Sequence, residues 1–99
     1  MAKSKWKPTI NIAQLIHIMY QVENLTGHSI DELIDMLFSG NMTGNVKQVF
    51  MDTLARIKDE PFEVGGNAAL YALIYKLAKK QFGPMVGRID FGFFYLKPV

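Results

Sequence analysis

The chain reads as a small, mainly α domain, with four helices between an extended N-terminal segment and an aromatic C-terminal β-strand or hairpin. Three observations predict this. Apolar residues recur at helical spacing in four stretches between Asn11 and Phe82. Those stretches are bounded by capping and stop residues, among them Asn11, Gly27, Ser29, Gly40, Asn45, Pro61 and Gly83. Beyond Pro84 the period changes to two, in a run rich in phenylalanine. With 99 residues one domain over 1–99 is expected, comprising a basic extended arm (1–10), a helical core (11–82) and an aromatic β tail (84–99).

In the arm, Lys3-Ser4-Lys5-Trp6-Lys7 alternates charge with smaller or aromatic groups, which suits an extended segment with Trp6 turned inward. Pro8 has no N–H to give to a ladder and confines that segment to a sheet edge. Helix 1 is expected over Ile12 to Thr26. Asn11 with Gln14 makes its N-cap, Ile10 and Leu15 take the staple positions, and Gly27 supplies a left-handed stop. Its apolar residues cover well over half the wheel, and the remaining stripe of Gln14, His17, Gln21 and Asn24 carries no formal charge with histidine neutral. A helix on the outside of a monomer more often shows lysine and glutamate there, so helix 1 is expected at the centre or at a subunit interface.

Ser29-Ile30-Asp31-Glu32 forms a capping box with acidic residues in the first turn, and helix 2 follows to about Phe38. Asp31 and Asp35 mark its wet face; no third ligand stands at a spacing that would make them a metal site. Helix 3 opens at Asn45 and runs to about Lys58, with Val46, Val49, Phe50, Leu54 and Ile57 inward. A helix-turn-helix reading would offer Lys47, Gln48 and Arg56 to DNA. The acidic neighbour and the long turn argue for an ordinary helical pair instead. Helix 4 follows Gly65-Gly66, is capped by Asn67 and ends at Gly83. No charge falls between Ala68 and Tyr75, which predicts that this half is surrounded by protein. The glycine pair does not make a phosphate cradle, because Glu60 and Glu63 would repel an anion and no lysine takes the phosphate-loop position. In the tail, Met85, Ile89, Phe91, Phe93 and Tyr95 fall on one side in period two, while Gly87 and Gly92 allow a bulge or bend. Helices 1 and 4 have the widest apolar arcs and are expected to pair in the core, with helices 2 and 3 outside them.

The chain has no cysteine, which excludes disulfides, thiolate metal sites and cysteine nucleophiles. No run approaches the roughly 20 apolar residues of a membrane span, and Ala2 to Pro8 is too polar for a signal peptide. An unprocessed intracellular (cytoplasmic) protein or a virion component is expected. The net charge of +2 hides an asymmetry: residues 1–10 carry +3, residues 23–63 carry −5 and residues 64–99 carry +4. This favours termini folded over the middle of the chain, or head-to-tail contacts between chains.

His17 and His28 have no partners at metal-ligand spacing, no serine lies in a nucleophile elbow, and no cofactor fingerprint is present. No enzyme activity, cofactor or metal is therefore expected. Hydrophobic residues make up 49% of the chain, more than a four-helix monomer of this size ordinarily covers. The leading expectation is a structural or assembly protein that associates with itself or docks on another protein. Its interface is expected to draw on Phe91, Phe93, Phe94 and Tyr95, with Trp6, His17 and Gln21. The alternative is a small nucleic-acid-binding module using Lys3, Lys5, Lys7, Lys76, Lys79, Lys80 and Arg88 as phosphate contacts. A third reading lays helix 4 on an anionic membrane surface, although its apolar arc is broad for that role. The nine residues Leu25-Thr26-Gly27-His28-Ser29-Ile30-Asp31-Glu32-Leu33 resemble a segment of small helical tail-assembly proteins of tailed phages. That resemblance implies a virus-encoded assembly or accessory protein as a class and assigns no site residues.

Overall fold

Helix α1 (Ile12–Thr26) is the hub of the molecule, packing against the other helices and against the strand that leads into it. The computed structural model describes residues 7–57, 68–83 and 87–98. Its element order is β1 (Thr9–Asn11), α1, α2 (Ile30–Ser39), α3 (Gly44–Ile57), α4 (Ala68–Phe82), β2 (Ile89–Asp90) and β3 (Tyr95–Lys97). The result is a mainly α small domain with a three-stranded sheet near the C-terminus. Trp6, Lys3, Lys5, Asn67 and Met85 lie outside the described residues.

The helix ends follow their local chemistry. The Asn11 side chain accepts from Gln14 N–H at 2.8 Å, while Gln14 Oε1 accepts from Asn11 N–H at 2.9 Å. Ser29 and Glu32 make the same reciprocal pair for α2, at 3.2 and 2.9 Å. Each box satisfies N–H groups that the first helical turn would otherwise leave without an acceptor. Gly27 and Gly40 stop α1 and α2 in the left-handed region, with φ of 85° and 80°. Helix α3 begins one residue before the expected Asn45.

The packing differs from the expected pairing of helices 1 and 4. Helix α1 buries seven residues, and its most extensive neighbour is α3, which buries Phe50, Thr53, Leu54 and Ile57. Helix α4 buries only Ile74 and Ala78, and Leu73 is 39% exposed. Its uncharged first half is therefore not surrounded by protein. Alanine and leucine at helical spacing make a helix apolar, yet burial depends on which neighbours reach it, and α3 contributes a fully buried ring, Phe50, where α4 contributes none.

The two chain ends meet in the sheet, whose order is β1-β3-β2. Strand β3 is central, parallel to β1 and antiparallel to β2, and the helices between β1 and β3 provide the long crossover that a parallel pair needs. Ile10 stands opposite Leu96, and Leu96 opposite Ile89; all three are buried. Thr9, Tyr95 and Asp90 share the outer face. The tail turns at Gly92, whose φ of 100° is a conformation that glycine tolerates, and Phe91 N–H donates to Phe94 O at 2.9 Å across the turn. The bend that Gly92 allows is present, and beyond it the faces are the reverse of those expected from the period-two pattern. Ile89 stays inside, but Phe94 and Leu96 are the buried residues beyond the turn, and Tyr95 faces outward.

Candidate functional site

Phe94 is fully buried at the centre of an aromatic cluster that ties the tail to its own helices. Its ring stacks on Phe50 of α3 at 5.4 Å and on Phe91 at 5.2 Å, and meets Phe93 edge-on at 5.1 Å. Phe91 in turn makes edge contacts with Phe38 of α2 and Phe82 of α4, at 5.4 and 5.6 Å. Such offset and T-shaped pairs are the arrangements that the ring quadrupole favours. Phe91 and Phe93 are half-buried in this cluster. Of the aromatic residues expected to face a partner, Phe94 offers no surface to the outside, while Phe91, Phe93 and Tyr95 are each half-buried.

Tyr95 lies on the other side of the sheet, where the cations gather. Lys7 Nζ is 4.5 Å and Arg88 Cζ 3.9 Å from the centre of its ring, within the range of a cation–π contact. Lys7 also pairs with Asp90 Oδ1 at 2.8 Å, and Asp90 Oδ1 accepts Gly92 N–H at 2.8 Å. The Lys7 ammonium first, and then the Gly92 N–H, hold the Asp90 carboxyl below the ordinary carboxylate range; the Asp90 hydrogen bond raises Lys7 in return. Lys97, two residues from Tyr95, is exposed on the same face.

The outer face of α4 is a second surface. Ala69, Ala72, Leu73, Lys76, Lys79 and Lys80 are all exposed and follow one stripe of the helix. The stripe is apolar along its first half and cationic along its second. Lys79 Nζ lies 5.1 Å from the Tyr75 ring. The three lysines are among the expected phosphate contacts, whereas Ala69, Ala72 and Leu73 lie in the half of the helix expected to be surrounded by protein and are exposed. The signal that distinguishes the two faces is the position of the lysines: they fall on the same stripe as Ala69, Ala72 and Leu73, opposite Ile74 and Ala78.

His17 and Gln21 are half-buried on α1. On α2, Asp31, Glu32 and Asp35 are exposed along one face. Glu32 meets His28 at 3.5 Å, and the Ser29 backbone N–H is the main reason its carboxyl is held low. A cleft of about 180 Å³ opens where Leu37 and Met42 face Phe91 and Phe93, with Lys47 Nζ 5.2 Å from the Phe93 ring. It is smaller than the several hundred Å³ typical of small-molecule sites. Among the described residues no three His, Asp or Glu side chains form a set that could hold a metal ion. Among the same residues no helix is long and apolar enough to cross a membrane. In comparisons with family models, curated proteins and solved structures the chain matches none, and they add no support to the phage-like reading of residues 25–33.

Proposed function

We propose that this chain is a non-enzymatic assembly or interaction protein that associates with itself, with the outer face of α4 as the contact. One observation carries the reading. Leu73, 39% exposed, stands with Ala69 and Ala72 on a helix that has no charge from Ala68 to Tyr75. An exposed apolar stretch that runs on into a cationic one is a surface suited to contact with another protein. The broad arc of α1, by contrast, is taken up inside the monomer, and the tail is held by the aromatic cluster. Docking on a different protein through the same face is the neighbouring form of this reading. Light scattering on a sizing column tests it: the wild type should run well above 11.2 kDa, and Leu73→Glu should run as a folded monomer. A wild type that stays monomeric at every concentration, or a Leu73→Glu variant with unchanged mass, removes the proposal.

A second reading is favoured by the cations on the outer sheet face, where Lys7 and Arg88 lie over Tyr95 and Lys97 stands beside them. A nucleic acid would be held there through its phosphates. Binding to generic duplex DNA should then fall steeply between about 50 and 200 mM salt, and alanine at Lys7 and Arg88 should weaken it for all sequences alike. Absence of binding at low salt would end this reading.

A further inference from the structure

The contact between copies has a direction. Resting on the self-association proposed above, we infer that the basic, apolar face of α4 docks on the acidic face of α2 of a second copy, head to tail, and not on the α4 of its neighbour.

The faces are complementary. On α4, Lys76, Lys79 and Lys80 are exposed beside Ala69, Ala72 and Leu73. On α2, Asp31, Glu32 and Asp35 are exposed, and Leu25, at 62% the most exposed large apolar side chain described, lies just before the Gly27 turn that leads into α2. On α4 the apolar residues share one stripe with the lysines, and the exposed charge blocks of α4 and α2 have opposite signs. Complementary charge blocks set orientation and exclude wrong pairings more than they add affinity. A two-fold contact of α4 with α4 puts an identical surface on both sides, lysines included. An α2 to α4 contact places ammonium groups against carboxylates.

Among the described residues the same charges form no ion pair with one another within one chain. Among the described residues the ion pairs are Lys7 with Asp90 and His28 with Glu32, so Asp31, Asp35, Lys76, Lys79 and Lys80 have no salt-bridge partner. The two helices are nevertheless neighbours at their C-terminal ends, where Gln81 Nε2 donates to Phe38 O at 2.9 Å. That link fixes α4 beside α2 without bringing the lysines to the carboxylates. A second copy can bring the two sets together. Because the contact joins different patches, assembly continues copy by copy until it closes into a ring or grows as a filament.

A charge exchange tests the direction. One variant carries Lys76→Glu and Lys80→Glu, the other Asp31→Lys and Asp35→Lys, with circular dichroism confirming that both fold. Each alone should lose assembly on the order of tenfold or more in affinity, since attraction at exposed pairs becomes repulsion. Mixed in equal amounts they should recover the wild-type mass, because every contact in the mixture again joins opposite charges. Recovery should weaken in about 1 M salt, where the screening length is only ~3 Å. If the α2 variant alone assembles like the wild type, or the folded mixture stays monomeric, the head-to-tail contact is wrong while self-association through α4 stands. If the wild type itself is a monomer, both fall together.

Discussion

Phe94→Ala removes the ring on which the tail, α3 and the turn at Gly92 all converge. Phe94 is fully buried and makes ring contacts with Phe50, Phe91 and Phe93. Truncating a buried phenylalanine costs about 3–5 kcal/mol, through lost transfer free energy and the cavity left behind. A chain of this length has a total stability on the order of 5–15 kcal/mol, so the change removes a large part of it. At about 4–8 °C per kcal/mol for a domain near 100 residues, Tm should fall on the order of 20 °C. Urea unfolding followed by far-ultraviolet circular dichroism measures the difference directly. Phe94→Leu keeps most of the volume and should cost well under half as much, roughly 1–1.5 kcal/mol. A loss below about 1 kcal/mol for Phe94→Ala would show that this ring does not anchor the tail to the helices, and the described packing of 87–98 would be refuted.

Three other outcomes follow from single contacts. Thr53 is 1% exposed and among the described residues its Oγ1 has no hydrogen-bond partner, so Thr53→Val, which replaces hydroxyl by methyl, should stabilise the protein by about 1 kcal/mol in the same urea assay. A clear destabilisation would mean that the hydroxyl is satisfied. Ser29→Ala removes one half of the α2 capping box and should cost about 1 kcal/mol; no change would contradict the cap geometry. Asp90 has a depressed carboxyl in the folded state, so its contribution is present above the ordinary carboxylate pKa and is lost as pH falls through the folded value. The Tm difference between wild type and Asp90→Asn should accordingly shrink as pH drops below about 4, and a constant difference across pH 2–6 would contradict the Lys7 to Asp90 pair.

What the sequence revealed and what it concealed divide by range. The capping boxes at Asn11 and Ser29, and the left-handed glycines at 27 and 40, depend on residues within four positions of one another, and the structure repeats them closely. Packing order is nonlocal. The apolar run of α4 carried no sign that α3 would take the larger contact with α1, since alanine and leucine suit a buried face and an interface equally. The tail is legible in outline, since a bend at Gly92 can be read from the sequence, but its faces are not: beyond the turn Phe94 and Leu96 are buried and Tyr95 is on the outer side, the reverse of the period-two side expected. The surfaces were partly legible. Lys76, Lys79 and Lys80 were readable from their spacing, whereas the cluster of Lys7, Arg88, Asp90 and Tyr95 joins residues from opposite ends of the chain and exists only once β2 and β3 have paired beside residue 7.

Self-association through α4 is the claim on which the functional account depends, and mass against concentration addresses it most directly. Multi-angle light scattering should be run on the wild type and on Leu73→Glu across a hundredfold dilution, at about 0.1 M salt. The wild-type mass should rise with concentration well beyond 11.2 kDa, and folded Leu73→Glu should remain at the monomer mass throughout. A wild type held at the monomer mass over the whole series would contradict it.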